Sequence, residues 1–298
     1  MTPDGRFAPS PTGPLHLGSL RTALVAWLFA RSQRARFLVR IEDLDPQRSR
    51  PEFERGQLDD LRALGIDWDG PVVRQSERGA LYERALAKLK AQGRLYECFC
   101  TRAEIRAAAS APHDDLPEGA YPGTCRDLST AERQARIDSG RPYALRLRAD
   151  SQRVEFDDRL LGQCGGVVDD FVVRRADGVT AYQLAVVVDD ADQGIDEVVR
   201  GADLVSSTPR QIVLGRLLGL PAPVYAHVAL VLSSDGSRLA KRHRAATLPD
   251  HDEPATRTLA LLAHTLGLAT GSDELATAAD LLSEFDPQRV PRDPVILG

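Results

Sequence analysis

The residues whose arrangement carries the most chemistry lie near the start of the chain. His16-Leu17-Gly18-Ser19 ends a run rich in Pro, Gly and Ser, Phe7 to Gly18 (FAPSPTGPLHLG), and precedes apolar residues at Leu20, Ala23, Leu24, Trp27 and Leu28. That apolar spacing is a helix face, so a histidine and a glycine fall where a loop meets a helix start. Amide groups and the positive dipole end favour phosphate there, and Gly18 lets a nucleotide approach the backbone. A His-x-Gly alone more often reads as a solvated loop histidine, and its worth comes from what surrounds it. A second cluster is made of thiols. Of the four cysteines, Cys98, Cys100, Cys125 and Cys164, three fall between 98 and 125, too few for a disulfide scaffold but a grouping that suggests a metal. Tetrahedral zinc needs a fourth ligand, for which chemistry alone nominates Cys164 or His113. Lysine is rare, at Lys88, Lys90 and Lys241 only, the rest of the 38 basic residues being arginine, so a lysine at a motif position carries extra weight.

The elements that must position these groups read as β/α at the start. Phe37 to Glu42 (FLVRIE) reads as a buried strand, and Phe53 to Leu64 and Ala80 to Ala91 as helices closed by Gly65 and Gly93. Between about 96 and 180 the pattern changes to cysteines, short loops and alternating segments such as Tyr143 to Ala149 and Phe171 to Arg175, with a turn at Asp177-Gly178, as in a smaller inserted module. Tyr182 to Val188 and Glu197 to Arg200 then read as strands. A helix follows, with Thr208 as N-cap, Pro209 at its first position, Gln211 completing a capping box and Gly219 at its end. After Asp250 the periodicity is helical, with Leu259, Leu262 and Leu266 on one face and Leu275, Leu281, Leu282 and Phe285 following.

A length of 298 residues allows about two domains. With 43% hydrophobic and 27% charged residues the composition is that of a soluble globular protein, and no run approaches the ~20 apolar residues of a membrane span. Met1 to Ser10 lacks the basic start and apolar stretch of an export signal, so a cytoplasmic enzyme with no membrane partner is expected. A net charge of −5 argues against a protein that coats nucleic acid indiscriminately and leaves room for a local basic site.

Arg6 to Gly18 (RFAPSPTGPLHLG) resembles the first signature of glutamyl-tRNA synthetases. Further matches follow in family order: Arg40 to Asp45 (RIEDLD), Ala185 to Asp190 (AVVVDD), Val199 to Leu204 (VRGADL) and Thr208 to Gln211 (TPRQ). The family's lysine-bearing loop corresponds to Arg238-Leu239-Ala240-Lys241-Arg242, with Arg238 and Ala240 in place of a lysine and a serine; Ser19 likewise replaces the second histidine of the first signature. The resemblance covers about residues 5 to 250 and stops where the longer synthetases continue into an anticodon-binding region. That, with Gly18-Ser19-Leu20 and the early Cys-x-Cys, is similar to the branch that glutamylates queuosine in tRNA(Asp).

The resemblance implies a Rossmann-like α/β catalytic domain of the class I aminoacyl-tRNA synthetases. Its first half would be 1–95 and its second half 185–250. An acceptor-binding module with a zinc site would be inserted at 96–184, and a helical tail would run over 251–298. The active site is then expected at the carboxyl ends of the central strands. It implies L-glutamate bound by Arg6 and Arg200 through its carboxylates, by Glu42 through its ammonium, and by the hydroxyls of Ser10 and Tyr182. ATP, carrying Mg²⁺, would be met by His16, Gly18 and Lys241, with His16 and Lys241 as the catalytic groups; charge builds on the α-phosphate oxygens during attack, and one preplaced donor supplies about 3 kcal/mol. It further implies Tyr121 as the fourth zinc ligand beside Cys98, Cys100 and Cys125, leaving Cys164 a plain thiol, and Asp43, Asp45, Asp189 and Asp190 as structural groups. The expected partner is the anticodon arm of tRNA(Asp), and the expected state a monomer. Two rivals are a truncated glutamyl-tRNA synthetase charging the tRNA 3′ end and a catalytically silent RNA-binding paralogue. A third, an adenylyltransferase acting on a small cofactor, has no reason to keep the amino-acid pocket.

Overall fold

The computed structural model describes residues 2–109, 120–233, 255–268 and 276–297. Lys241 and the whole Arg238 to Arg244 segment, His113 and Leu275 lie outside the described residues. Strand β1 (Gly5–Phe7) leads through α1 (Leu17–Ser32) to β2 (Phe37–Ile41), which pairs with it in parallel. Helix α2 (Pro51–Ala63) leads to β3 (Val73–Arg74), parallel to β2, and α3 (Gly79–Ala91) closes this half. Next come β4 (Leu95–Cys98), α4 (Arg102–Ala109), α5 (Thr130–Asp138), β5 (Ala144–Leu147), β6 (Arg153–Asp158), β7 (Gly162–Val167) and β8 (Phe171–Arg174). Strands β4, β5 and β8 form a three-stranded antiparallel sheet of their own. The β6–β7 hairpin does not join it. It extends instead the sheet built by α6 (Tyr182–Asp192), β9 (Glu197–Gly201), α7 (Thr208–Leu218) and β10 (Val224–Val228), in the order β7-β6-β10-β9. Strand β9 lies beside β1, the amides of Asp196 and Glu197 both donating to the Asp4 carbonyl at 3.1 Å. The two parallel halves thus meet at β1 and β9, where the strand order reverses and a crevice opens at the carboxyl ends.

Helix α1 is covered almost all round: every residue from Ala23 to Ala30 is buried, not only the face that the spacing predicts. On the same helix Arg21 is fully buried, donating from Nη1 to the Ala229 carbonyl (2.8 Å) and from Nε to Thr265 Oγ1 (3.1 Å). Burial lowers its pKa to about 10. It ties the helix that begins at the His16 loop to the end of β10 and to α8 (Ala255–Thr265).

Three expectations change. Tyr182 to Val188 opens helix α6 and is not a strand. Its β-branched run imitates a strand because the helix is enclosed on several sides, burying Leu184, Ala185, Val186 and Val188 together with Asp189 and Asp190, so no polar face marks the helical period. Thr208 is the first residue of α7 and not its cap; Ser207 holds the cap position without a side-chain bond, and Gln211 donates to Gln183 Oε1 rather than closing a capping box. Gly219 does end that helix, in the left-handed region at φ 63°. The expected helical tail holds for α8 alone among the described residues: short 3₁₀ turns follow at 278–281 and 287–289, and β12 (Val295–Leu297) pairs in parallel with β11 (Val231–Ser233). No helix of the described residues is long and apolar enough to cross a membrane.

Candidate active site

The crevice at the reversal of strand order holds a cleft of about 540 Å³, a size usual for small-molecule sites. Arg6 and Arg200 reach it from β1 and β9, Glu42 from the residue after β2, Tyr182 from the first turn of α6, Ser10 and His16 from the loop between β1 and α1, and Gly18 from the first turn of α1. All seven line the one cleft. A second cavity of about 630 Å³ shares Ser10, Glu42 and Tyr182 with it and extends to Cys98, Cys100 and Arg146.

The loop side is organised by His16, the N-cap of α1, whose Nδ1 accepts from the Ser19 amide at 3.1 Å; Ser19 Oγ lies 3.1 Å from Nε2. Gly18 has a steric reason that the sequence does not disclose. A Cβ there would stand 3.1 Å and 3.2 Å from Nδ1 and Cε1 of the His16 ring, closer than such contacts normally run. From α2, the buried Gln57 donates to the carbonyls of Ser10 (3.1 Å) and Gly13 (2.7 Å), clamping the loop from below.

The strand side is a charge network. Asp190 accepts from Arg6 Nε (3.1 Å) and from Arg40 Nη1 (2.7 Å), and Arg6 Nη1 also donates to the Val199 carbonyl. Asp189 is fully buried and accepts from Gln75 (2.8 Å), Tyr82 (2.8 Å) and Arg78 (2.6 Å), so both acidic residues order the scaffold. Arg200 donates from Nε to His227 Nε2 (3.1 Å) and from Nη2 to Thr208 Oγ1 (2.7 Å), while its buried Nη1 has no partner among the described residues. Burial raises the Glu42 carboxyl to about 7 against the opposing charges of Arg40 and Arg6. Burial, then Glu42, raises the Tyr182 phenol. An acid that protonates easily beside orphaned guanidinium capacity suits a zwitterionic ligand, whose ammonium restores the charge on Glu42 and whose carboxylate meets Arg200. Asp158 and His227 gave no sequence signal as site groups, since a single histidine in a strand such as VYAHV reads as core, and Thr208 was read only as a helix cap within the matched TPRQ segment.

The thiols of Cys98, Cys100 and Cys125 lie within 4.8 Å of one another. Tyr121 Oη is 3.3 Å from Cys98 Sγ and 3.9 Å from Cys100 Sγ, accepts the Cys125 amide at 2.8 Å, and its ring lies under the Arg146 guanidinium at 3.8 Å. Burial and then the neighbouring Cys125 push the Cys100 thiol up to about 12. Three sulfurs and a phenol oxygen converging in a small apolar pocket fit a tetrahedral zinc ion. Cys164 lies elsewhere, on β7 opposite Phe156, outside that cluster.

Residues 4–296 match the family of tRNA synthetases class I (E and Q), catalytic domain. A glutamyl-Q tRNA(Asp) synthetase of Nocardia farcinica is 58% identical, the match covering 98% of this chain and 92% of that protein. One of Symbiobacterium thermophilum is 50% identical, covering 98% and 94%. Among solved structures, a glutamate tRNA ligase from Elizabethkingia meningosepticum in complex with its amino acid matches with a TM-score of 0.82 at 27% identity, over all of this chain and 67% of that one. With its two parallel halves, its cleft at their junction and a match along almost its whole length, the chain belongs to the class I tRNA synthetases of the E and Q group.

Proposed function

We propose that this protein activates L-glutamate with ATP, forming glutamyl-adenylate, and passes the glutamyl group to queuosine in the anticodon loop of tRNA(Asp). The observation that carries this reading is that Glu42 and an Arg200 whose Nη1 has no partner among the described residues line one cleft with the His16 loop. The similarity to glutamyl-Q tRNA(Asp) synthetases supports the acceptor. In this reading Arg200 and Arg6 neutralise the glutamate carboxylates, Glu42 holds the ammonium, and the hydroxyls of Ser10 and Tyr182 complete the pocket. A carboxylate oxygen of the substrate attacks the α-phosphate of ATP, pyrophosphate leaves with Mg²⁺, and His16, the amides near Gly18 and Lys241 meet the charge that builds on the phosphate oxygens. Zinc bound by Cys98, Cys100, Tyr121 and Cys125 would brace the β4-β5-β8 module.

Glutamate-dependent ATP-pyrophosphate exchange is the test. Exchange is expected without any tRNA, because Arg6, Glu42, Tyr182 and Arg200 line the same cleft as His16 and Gly18. Exchange only on adding tRNA would count against a preformed site. No exchange under any condition would instead favour a silent RNA-binding protein.

A further inference from the structure

Arg200 is the group on which glutamate recognition rests in the reading above, and a salt bridge does not hold it. Arg6, its counterpart across the cleft, is locked by the Asp190 carboxylate. Arg200 has no carboxylate partner among the described residues and meets neutral acceptors instead. Those acceptors are themselves fixed. Asp158, at the end of β6, accepts His227 Nδ1 at 2.5 Å with one oxygen, and with the other the amides of Leu160, Leu161 and His227 at 3.0, 3.0 and 3.1 Å. His227 is fully buried, and its ring is stacked with Tyr225 at 6.1 Å. The Tyr225 ring also takes the Arg200 guanidinium at 5.4 Å.

We propose that Asp158, His227 and Thr208 form a positioning relay that sets the orientation of Arg200 through the tautomer of His227. The Arg200 contact favours one arrangement of the proton, although Thr208 Oγ1, 3.2 Å from Nε2, offers an acceptor for the other. The Asp158 carboxylate is acceptor-only, so the His227 proton lies on Nδ1, and Nε2 keeps the lone pair that receives Arg200 Nε–H. A proton on Nε2 would set two donors against each other. Burial disfavours a charged His227, the Arg200 charge works in the same direction, and its pKa is lowered accordingly although Asp158 opposes the shift. Burial likewise works against the Asp158 charge, but the bonds from His227 and from the three amides outweigh it and hold the carboxyl below its ordinary value. With Nε and Nη2 engaged on neutral acceptors, Arg200 keeps its full positive charge and presents Nη1 as the remaining corner of the fork. A ligand carboxylate then meets an uncompensated cation that needs no reorganisation, whereas a carboxylate partner on Arg200 would compete with the ligand.

This inference rests on glutamate being the substrate, and its test separates the two. Asp158→Asn places an amide donor against His227 Nδ1, shifts the proton to Nε2 and turns it on Arg200. The expected result is a glutamate KM at least tenfold higher in pyrophosphate exchange, with kcat and the KM for ATP within about threefold, since the loss is of uniform substrate binding. His227→Phe should raise the glutamate KM similarly, and His227→Gln, which can again offer an oxygen to Arg200 Nε, should recover most of it. Long-range ¹H–¹⁵N spectra of the ¹⁵N-histidine-labelled protein, with its six histidines, read the relay without any variant: His227 should be neutral with its proton on Nδ1. An Nε2–H tautomer or an imidazolium there, or an unchanged glutamate KM in Asp158→Asn, would overturn the relay. A wild-type protein that exchanges no pyrophosphate would overturn the substrate while the tautomer still decides the relay.

Discussion

At the residue scale the consequence easiest to measure lies in Glu42. Facing Arg40, Arg6, Asp189, Asp190 and Tyr182, it is pushed up to about 7, chiefly by burial. An ammonium group binds the carboxylate and not the acid. Below pH 7 the site must therefore release a proton before it can take glutamate, whereas above pH 7 the carboxylate is already formed. Calorimetry should show the glutamate Kd falling as pH rises, by about tenfold per unit below 7 and levelling above it, with proton release visible as a dependence on buffer ionisation heat. Glu42→Gln should weaken binding and flatten the profile; a Gln variant with the wild-type slope would remove Glu42 from the ammonium site. Gly18 makes a complementary case. Alanine is favoured over glycine inside a helix by up to about 1 kcal/mol, yet its Cβ would push the His16 ring by a few tenths of an ångström. Gly18→Ala is thus expected to melt no lower than wild type and to exchange pyrophosphate about tenfold more slowly. A parallel loss of both would mean that the glycine serves folding and not the ring.

At the scale of elements, the β4-β5-β8 sheet shares the large core through Leu147, Phe171 and Val173 and carries besides only a small cluster of Tyr96, Cys98, Phe99, Tyr121 and Cys125. A metal would brace that small cluster. Metal analysis is expected to give one zinc per chain, lost in Cys98→Ser and kept in Cys164→Ser, with chelation lowering the melting temperature. Zinc lost from the Cys164 variant instead would show the wrong ligand set. The cluster was half visible in the sequence: the Cys-x-Cys spacing advertises a metal, but spacing alone nominates Cys164 or His113 as readily as Tyr121. The resemblance points to Tyr121, and the fold supports that choice by seating its oxygen 3.3 Å from Cys98 Sγ. The β/α alternation around α1, β2, α2 and α3 was legible because each has a bounded apolar pattern, and Gly65 and Gly93 punctuate the ends of α2 and α3. Helix α6 was not, because Asp189 and Asp190 are buried by partners up to 184 positions away, and a pattern read along the chain has no access to Arg6 or Tyr82 across it. The pocket residues were reached through the motif resemblance, as was the segment of Thr208, whereas nothing local marks His227 in VYAHV or Asp158 in RVEFDD as a partner of Arg200.

For the whole molecule the question is how much cationic surface is left for RNA. The net charge is −5, and many of the arginines are already committed: Arg31, Arg36, Arg74, Arg78, Arg126 and Arg210, among others, pair with carboxylates of the chain itself. A surface of that kind neutralises few phosphates. If the contact spans one arm and about three to five phosphates, the slope of log affinity against log salt should be about −2 to −4.5, at about 0.7 to 0.9 per phosphate, well short of what a whole-tRNA grip would give. With so little help from the backbone, discrimination is expected to rest on the acceptor group itself. Labelled glutamate and ATP, offered with tRNA(Asp) that carries queuosine, tRNA(Asp) that lacks it, and tRNA(Glu), should therefore label the first alone. Label on queuosine-free tRNA(Asp), or at the 3′ end of tRNA(Glu), would sink the queuosine assignment and promote 3′-end charging. A steep salt dependence with queuosine-restricted labelling would leave the acceptor standing and put the small footprint in error.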